Sequence, residues 1–406
     1  MKARTDLMKK AGMRGLLLFL CLLVLPAGTV FARAEGTVSN TISEVTMMNN
    51  ENLPRKIYGG HWMKPAGHLQ GIACDEERKF MYMSFTDRLV KVDMEKNEIV
   101  ASVTGLLAGG IYGGGAHLGC LAYHDGKVYG SLEYKAAEKF YVAVFDCDAM
   151  TEMDMDYKTS GAMTTLYMDE VVADYIDDLD AGEHENAIAS MGHRYGCSGI
   201  DGITFGPLPG DKGGKEYMYV AYGVYRNEQR EDNDYQVILC FDPDTFAPLP
   251  FDQNNPHTQG PALFKKLFVY TGNTNYGVQN LEYDRDTGDF WMIVYEGSKA
   301  QFPNHPVYLA DGSIPLHTET LKIRGQAYPE GLQGEVMTLK AGAGEYHAAS
   351  GVWGIPVMPG KADTGFISLG DDLFYVAQSG KSSERQFGYA VLMRLDRENW
   401  TFIPVE

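Results

Sequence analysis

Cysteine is scarce in this chain. Six occur in 406 residues. Cys21 lies inside the N-terminal apolar run, which leaves Cys74, Cys120, Cys147, Cys197 and Cys240. An odd count excludes a complete disulfide framework. Cys74 and Cys240 stand in apolar runs and read as small core residues. Long hydrophobic runs are missing too. The one candidate, Leu16 to Leu25, meets Pro26 too soon to span a bilayer, which takes about 20 apolar residues. Helical punctuation is nearly absent, and only Met168 to Tyr175 reads as a brief helix. Positive charge is in short supply: 35 Lys and Arg face 54 Asp and Glu, a net charge of −19.

The N-terminus reads as a secretory signal. Lys2, Arg4, Lys9, Lys10 and Arg14 precede the apolar run, and Ala32-Arg33-Ala34 supplies a small-x-small cleavage site. Cys21 follows Leu20, so no lipoprotein site is expected. Cleavage near Ala34 predicts a secreted, extracellular product with no membrane insertion. It removes six basic residues and one acidic residue, leaving 29 and 53, a balance of −24. Such a chain repels nucleic acid and anionic membranes. Its acidity keeps an exported protein soluble; attraction of cations, calcium included, is the rival reading. Glu35 to Pro54 is polar and reads as a flexible arm, and Arg55 to Glu406 as a single domain, expected to be monomeric.

What is present in abundance is the strand signal. Short segments rich in Tyr, Gly and Val are bounded by Asp, Asn and Gly turns. Stacked, they form a repeat. Each unit opens at Gln70, Gly119, Asp201, Gln279 or Gly365 with a five-residue strand of period-two alternation. A polar turn follows, such as His124-Asp125-Gly126. Second strands run over Phe80 to Phe85, Val128 to Leu132, Tyr217 to Tyr222, Phe290 to Tyr295 and Leu373 to Ala377. Third strands end at Asp93, Asp146, Asp242, Asp311 and Asp396. Fourth strands are expected at Ile99 to Val103, Thr164 to Tyr167, Lys266 to Tyr270, Val336 to Leu339 and Thr401 to Val405. Four antiparallel strands repeated around a ring predict an all-β fold, a five-bladed β-propeller. A sixth blade stays open, either between Ser313 and Asp363 or built partly from Lys56 to Met63.

In a propeller the first strand of each blade lines the central channel. Polar residues at equivalent starts therefore converge on one axis, the default place for a ligand. Gln70, Asp201 and Gln279 open their strands, and His68, His117 and Asp363 stand two places earlier. Asn280 follows Gln279. Glu133 and Glu296 follow second strands near the same mouth. With Asp201 they form a catalytic set of three carboxylates, as acid, base or nucleophile, and tuning partner. His68, Gln70, His117, Gln279 and Asn280 are the ligand-binding candidates. A water-filled polar channel is the bland alternative. His193, Cys197 and His117 contain the residue types of a Cys–His nucleophile, but no spacing rule supports one. Asp177 to Glu185 is acidic without the order of a calcium loop. Loop aromatics such as Tyr225, Tyr276, Tyr295 and Trp353 suit sugar rings, which stack on flat faces.

Asp201-Gly202-Ile203, Gln279-Asn280-Leu281 and Gln70-Gly71-Ile72 resemble the blade openings of gluconolactonase and paraoxonase-type propellers. That resemblance implies one divalent cation on the axis and hydrolysis of lactones or esters. It makes Asp201 a metal ligand, puts Gln279 or Asn280 in place of an Asn, and puts Gln70 where the family has Glu. Calcium is the candidate cofactor. The repeat also looks like five-bladed nucleotidases and glycosidases. A broader similarity, to uncharacterised secreted bacterial β-propeller proteins, rests on His117-Leu118-Gly119-Cys120, His193 to Gly202 and Asn275 to Tyr283. The expected function is binding of a small polar ligand (glycan, lactone or ester) at the channel mouth, with hydrolysis if the protein is an enzyme. The alternative is a non-enzymatic extracellular scaffold for a protein or cell-wall polymer.

Overall fold

Turn chemistry sets the hairpins. Between the first two strands of the second blade, Asp125 and Gly126 both take positive φ, 47° and 72°. Asp371 and Asp372 do the same in the last blade, at 52° and 58°. Two consecutive left-handed residues match the right-handed twist of the strands they join. The computed structural model describes residues 48–107, 115–177, 193–225, 228, 230–323 and 331–406. The signal segment, Tyr112 and most of the acidic loop after Asp177 lie outside the described residues.

The strands form five antiparallel blades in a ring, a five-bladed β-propeller. The inner strands are Leu69–Cys74, His117–His124, Ile203–Pro207, Val278–Tyr283 and Phe366–Gly370. Blades one and three each carry four consecutive strands, the fourth being Glu98–Thr104 and Lys265–Tyr270; in blade two the fourth is Met163–Tyr167, reached after the short Met155–Asp156 has paired in parallel with Glu98–Thr104 of blade one. The fifth blade is closed by the other end of the chain. Lys56–Met63 pairs antiparallel with Arg385–Asp396, Lys56 opposite Val391 and Met63 opposite Arg385. Thr401–Pro404 continues the same edge beside Met393–Asp396.

Two expectations need correction. Val336 to Leu339 is not the fourth strand of blade four. Gln333–Met337 instead adds in parallel to the outer strand of blade three, Leu267 opposite Glu335. Blade four keeps Val278–Tyr283, Phe290–Val294 and Val307–Ala310, and among the described residues its edge is met by isolated bridges at Leu339 and Ile355. The end of the arm is packed rather than loose: Leu53 is buried in the core and Met48 lies against the same cluster. The reason in both cases is burial, since apolar residues add to whichever sheet edge or blade interface covers them.

The core fills the spaces between blades. Trp291 is fully buried between blades four and five, in edge contact with Phe374 (5.3 Å) and Phe402 (5.8 Å). The one α-helix among the described residues, Asp169–Ile176, packs by Val171 and Val172. Asp174 ties it to blade three. Its carboxylate accepts from Lys266 Nζ at 2.6 Å and from the Tyr222 hydroxyl. The five cysteines among the described residues are free thiols, and all but Cys74 are buried. Among the described residues, no helix is long and apolar enough to cross a membrane.

Candidate functional site

The starts of the inner strands open on one mouth of the channel. A cavity of about 190 Å³ lies there. Gln70, His117, Asp201, Gln279 and Asp363 reach it from all five blades, joined by His68 and Glu133. The backbone explains the convergence. Asp201 N–H donates to Ala221 O at 3.1 Å, extending the inner strand of blade three up to the mouth. His117 lies opposite Glu133 in the register of blade two, so both side chains stand on one face.

Two polar chains meet in this cavity. The Gln70 amide donates to Nε2 of His68 (2.9 Å) and of His117 (2.7 Å). Both rings must then hold their proton on Nδ1. Nδ1 of His117 faces Glu133 Oε2 at 3.8 Å. Glu133 in turn pairs with Lys135 Nζ at 3.1 Å. On the other side, Gln279 Nε2 donates to Asp201 Oδ2 at 3.3 Å. Gly199 makes the room for Glu133. Its φ of +146° is glycine territory, and a Cβ there would strike Glu133 Oε1.

Burial raises two of the cavity's acids. Burial raises the Asp201 carboxyl to about 8, the nearby Glu133 charge adding to the rise while Lys135 and the Gln279 hydrogen bond oppose it. Asp363, 9% exposed, is raised by burial as well. Burial pulls Lys135 down, but Glu133 and Asp201 together hold it above its ordinary value. His117 is lowered by burial, only partly offset by Glu133. His68 touches solvent at the rim, yet the protein walls and the charges of His117 and Lys381 bring it down to about 4.

Other sequence candidates fall elsewhere. Glu296 is exposed and is not part of the cavity wall. It lies beyond the end of Phe290–Val294, where the chain turns outward, while its neighbour Tyr295 lines the cavity. Asn280 is buried behind Gln279, with its Nδ2 unpaired. Strand alternation turns it away from the axis. His193 Nδ1 bonds the Cys197 backbone carbonyl at 2.7 Å, not the thiol. Burial pushes the Cys197 thiol far up. That geometry forms no Cys–His pair.

Sequence reasoning missed Lys135 as a site residue, since nothing in its exposed-looking turn sets it apart. Asp363 had the right register but no assigned role.

A divalent cation does not fit the donor set. Such an ion takes six or more oxygens. Here the Lys135 ammonium already pairs with Glu133, and the Asp201 carboxyl favours its proton. Among the described residues, no group of three or more His, Cys, Asp or Glu side chains converges as a metal cage.

No family model matches the chain, and no curated protein matches it. Solved structures give weak likenesses. The PQQ domain of pyranose dehydrogenase from Coprinopsis cinerea has TM-score 0.32 at 12% identity, over 79% of this chain and 81% of that one. A GH43 glycoside hydrolase, engineered to display endo-xylanase and exo-arabinofuranosidase activity, has 0.32 at 13%, over 85% and 54%. Raptor from Chaetomium thermophilum has 0.29 at 9%, over 86% and 29%. Likenesses this weak carry no argument about chemistry, which rests on the cavity residues alone.

Proposed function

We propose that this chain is a secreted hydrolase of the propeller class, acting on a small glycan, lactone or ester at the channel mouth. The observation that carries this reading is the pairing of two unlike carboxyls in one cavity. Asp201 holds its proton at neutral pH, while Glu133 is ion-paired to Lys135. A protonated carboxyl beside an ion-paired carboxylate offers an acid and a base. Asp201 donates a proton to the leaving oxygen, and Gln279 holds that carboxyl in place. Glu133 serves as base or nucleophile on the other side of the scissile bond. Tyr225 and Tyr295 line the same cavity and offer ring faces to a sugar. The signal-like N-terminus supports export with cleavage near Ala34, and the molecule then acts as a monomer.

The test is a screen of the purified mature chain against aryl glycosides, lactones and esters, followed by a pH–rate profile. Activity should fall above about pH 8, as Asp201 loses its proton. Asp201→Asn and Glu133→Gln should each lower kcat by about 100-fold or more with the fold intact. Glycan binding without turnover, or turnover untouched by both substitutions, would refute the hydrolase.

A further inference from the structure

The channel mouth holds one acid that the acid–base pair does not use. Asp363 sits in the turn Ala362–Thr364, just before the inner strand of blade five. The chain is pinned on both sides of it. Lys361 N–H donates to Ala377 O at 2.9 Å, and Ala377 N–H donates to Gly365 O at 2.8 Å. Asp363 is thereby fixed on the cavity wall. We infer that this mouth is a pocket for a single sugar ring, with the Asp363 carboxyl accepting the ring's hydroxyls and Tyr225 and Tyr295 covering its face. For turnover this pocket rests on the hydrolase reading; for binding it does not.

Asp363 is 9% exposed. Among the described residues, the one donor to its carboxyl is its own backbone N–H. Burial raises it, and the charge opposing that rise is Lys361, not Lys135. A carboxyl has room for about four hydrogen bonds, and a buried acceptor left without donors is costly. The two other acids on the wall are engaged, Asp201 by Gln279 and Glu133 by Lys135. Glu282, which lines a second cavity of about 410 Å³ at the other end of the channel, already accepts Ser368 N–H at 2.9 Å. Tyr295 shows where Asp363 faces. Burial raises the Tyr295 hydroxyl, and Asp363 and Asp201 both add to the rise. Both carboxyls therefore lie within electrostatic reach of one hydroxyl on the cavity wall.

Three tyrosines form the aromatic side. An antiparallel bridge joins Tyr225 to Tyr276. Their rings meet edge to face at 5.7 Å, and Tyr295 meets Tyr276 at 5.0 Å and Tyr225 at 6.1 Å. Tyr276 thus braces the two rings that line the cavity. Tyr225 is 41% exposed, at the rim. Ring faces beside a hydroxyl acceptor match a sugar, which has an apolar face and a polar edge.

The rest of the wall fits hydroxyls better than an ion or an ester. Lys135 and Glu133 balance each other, and the Gln70 and Gln279 amides both donate and accept. Hydroxyls do both as well. An ester or lactone carbonyl brings no donor to Asp363. Size sets the length of the ligand. The cavity of about 190 Å³ lies below the roughly 300 Å³ at which pockets for drug-sized ligands begin. One ring fits, and a stretch of polymer does not.

The experiment titrates the mature full-length chain by calorimetry with the methyl glycosides of glucose, galactose, mannose, xylose and arabinose, and with ethyl acetate and γ-butyrolactone. At least one glycoside should bind, and neither ester should at the same concentration. Monodeoxy forms of the bound glycoside then locate the contact. In the wild type, one deoxy position should cost about tenfold or more in affinity, the usual effect of losing a hydrogen bond to a charged group. Asp363→Ala should bind the parent glycoside about tenfold more weakly and should not distinguish it from that deoxy form, because the same contact is removed from either side. Tyr225→Ala, at an exposed ring, should weaken the glycosides too, and it covers the case in which Asp363→Ala fails to fold. Absence of glycoside binding, full affinity in Asp363→Ala or in Tyr225→Ala, or preference for the esters would overturn the inference. Ester hydrolysis without glycoside binding would keep the hydrolase and overturn the sugar pocket. Glycoside binding without turnover would do the reverse.

Discussion

Asp201 shows how one residue carries both fold and chemistry. Its carboxyl is raised to about 8, well above the ordinary value of 3.8, chiefly by burial. The sign of the consequence follows from proton counting. Between these two values the folded chain binds more protons than the unfolded chain, so stability falls as pH rises through that window. Glu282 acts in the same direction, for the same cause. Asp201→Asn removes the ionisation. Its melting temperature should match the wild type near pH 4 and exceed it near pH 8, read by thermal unfolding across that range. A variant less stable than wild type at both ends would show that Asp201 is structural instead. Asp201 was legible as a site residue because it opens a strand. Its proton affinity was not, since that depends on Glu133, Lys135 and the walls, which are brought together only by folding.

At the scale of elements, short anchors hold the mouth in shape. The helix Asp169–Ile176 precedes the segment that delivers Ser198 and Asp201, and Asp174 fastens it to Lys266 and Tyr222. Glu170 holds the same lysine. Asp174→Ala leaves a half-buried ammonium and a buried hydroxyl without their shared acceptor. The expected loss is about 3 kcal/mol of unfolding free energy, measured by denaturant titration. A loss below about 0.5 kcal/mol would mean solvent replaces the carboxylate at no cost. Strand order was largely readable, because alternation and Asp–Gly turns are local signals. Gln333–Met337 was misassigned for a physical reason. Its alternation gives which faces it buries, but not which sheet edge it joins, and parallel addition to blade three leaves no local mark.

At the scale of the molecule, the ring is closed by strands from both chain ends. Lys56–Met63 zips onto the last blade, so the two termini depend on each other. A chain ending before Gly365 loses the inner strand of blade five and the partner of its own first strand. It should fail to show a cooperative thermal transition, whereas the mature chain shows one; a stable, sharply melting fragment would contradict the closed ring. Calcium belongs to this scale as well, because the acidity of the whole chain suggested it together with the place of Asp201 on the axis. With Lys135 among the carboxylates, a few millimolar calcium should shift the melting temperature by less than about 1 °C, since stabilisation requires a ligand concentration above its dissociation constant. A large shift would mean a cage formed by other carboxylates. The sequence by itself determined the propeller class, most of the strand order and the residues that open each inner strand, because turn chemistry and period-two alternation are written residue by residue; the structure settled five blades against six. Only the tertiary structure decided that Glu133, Lys135 and Asp201 share one cavity while Glu296 stays outside, and that Glu282 faces a second one. Those outcomes depend on how five blades pack around an axis, and no local pattern encodes that packing.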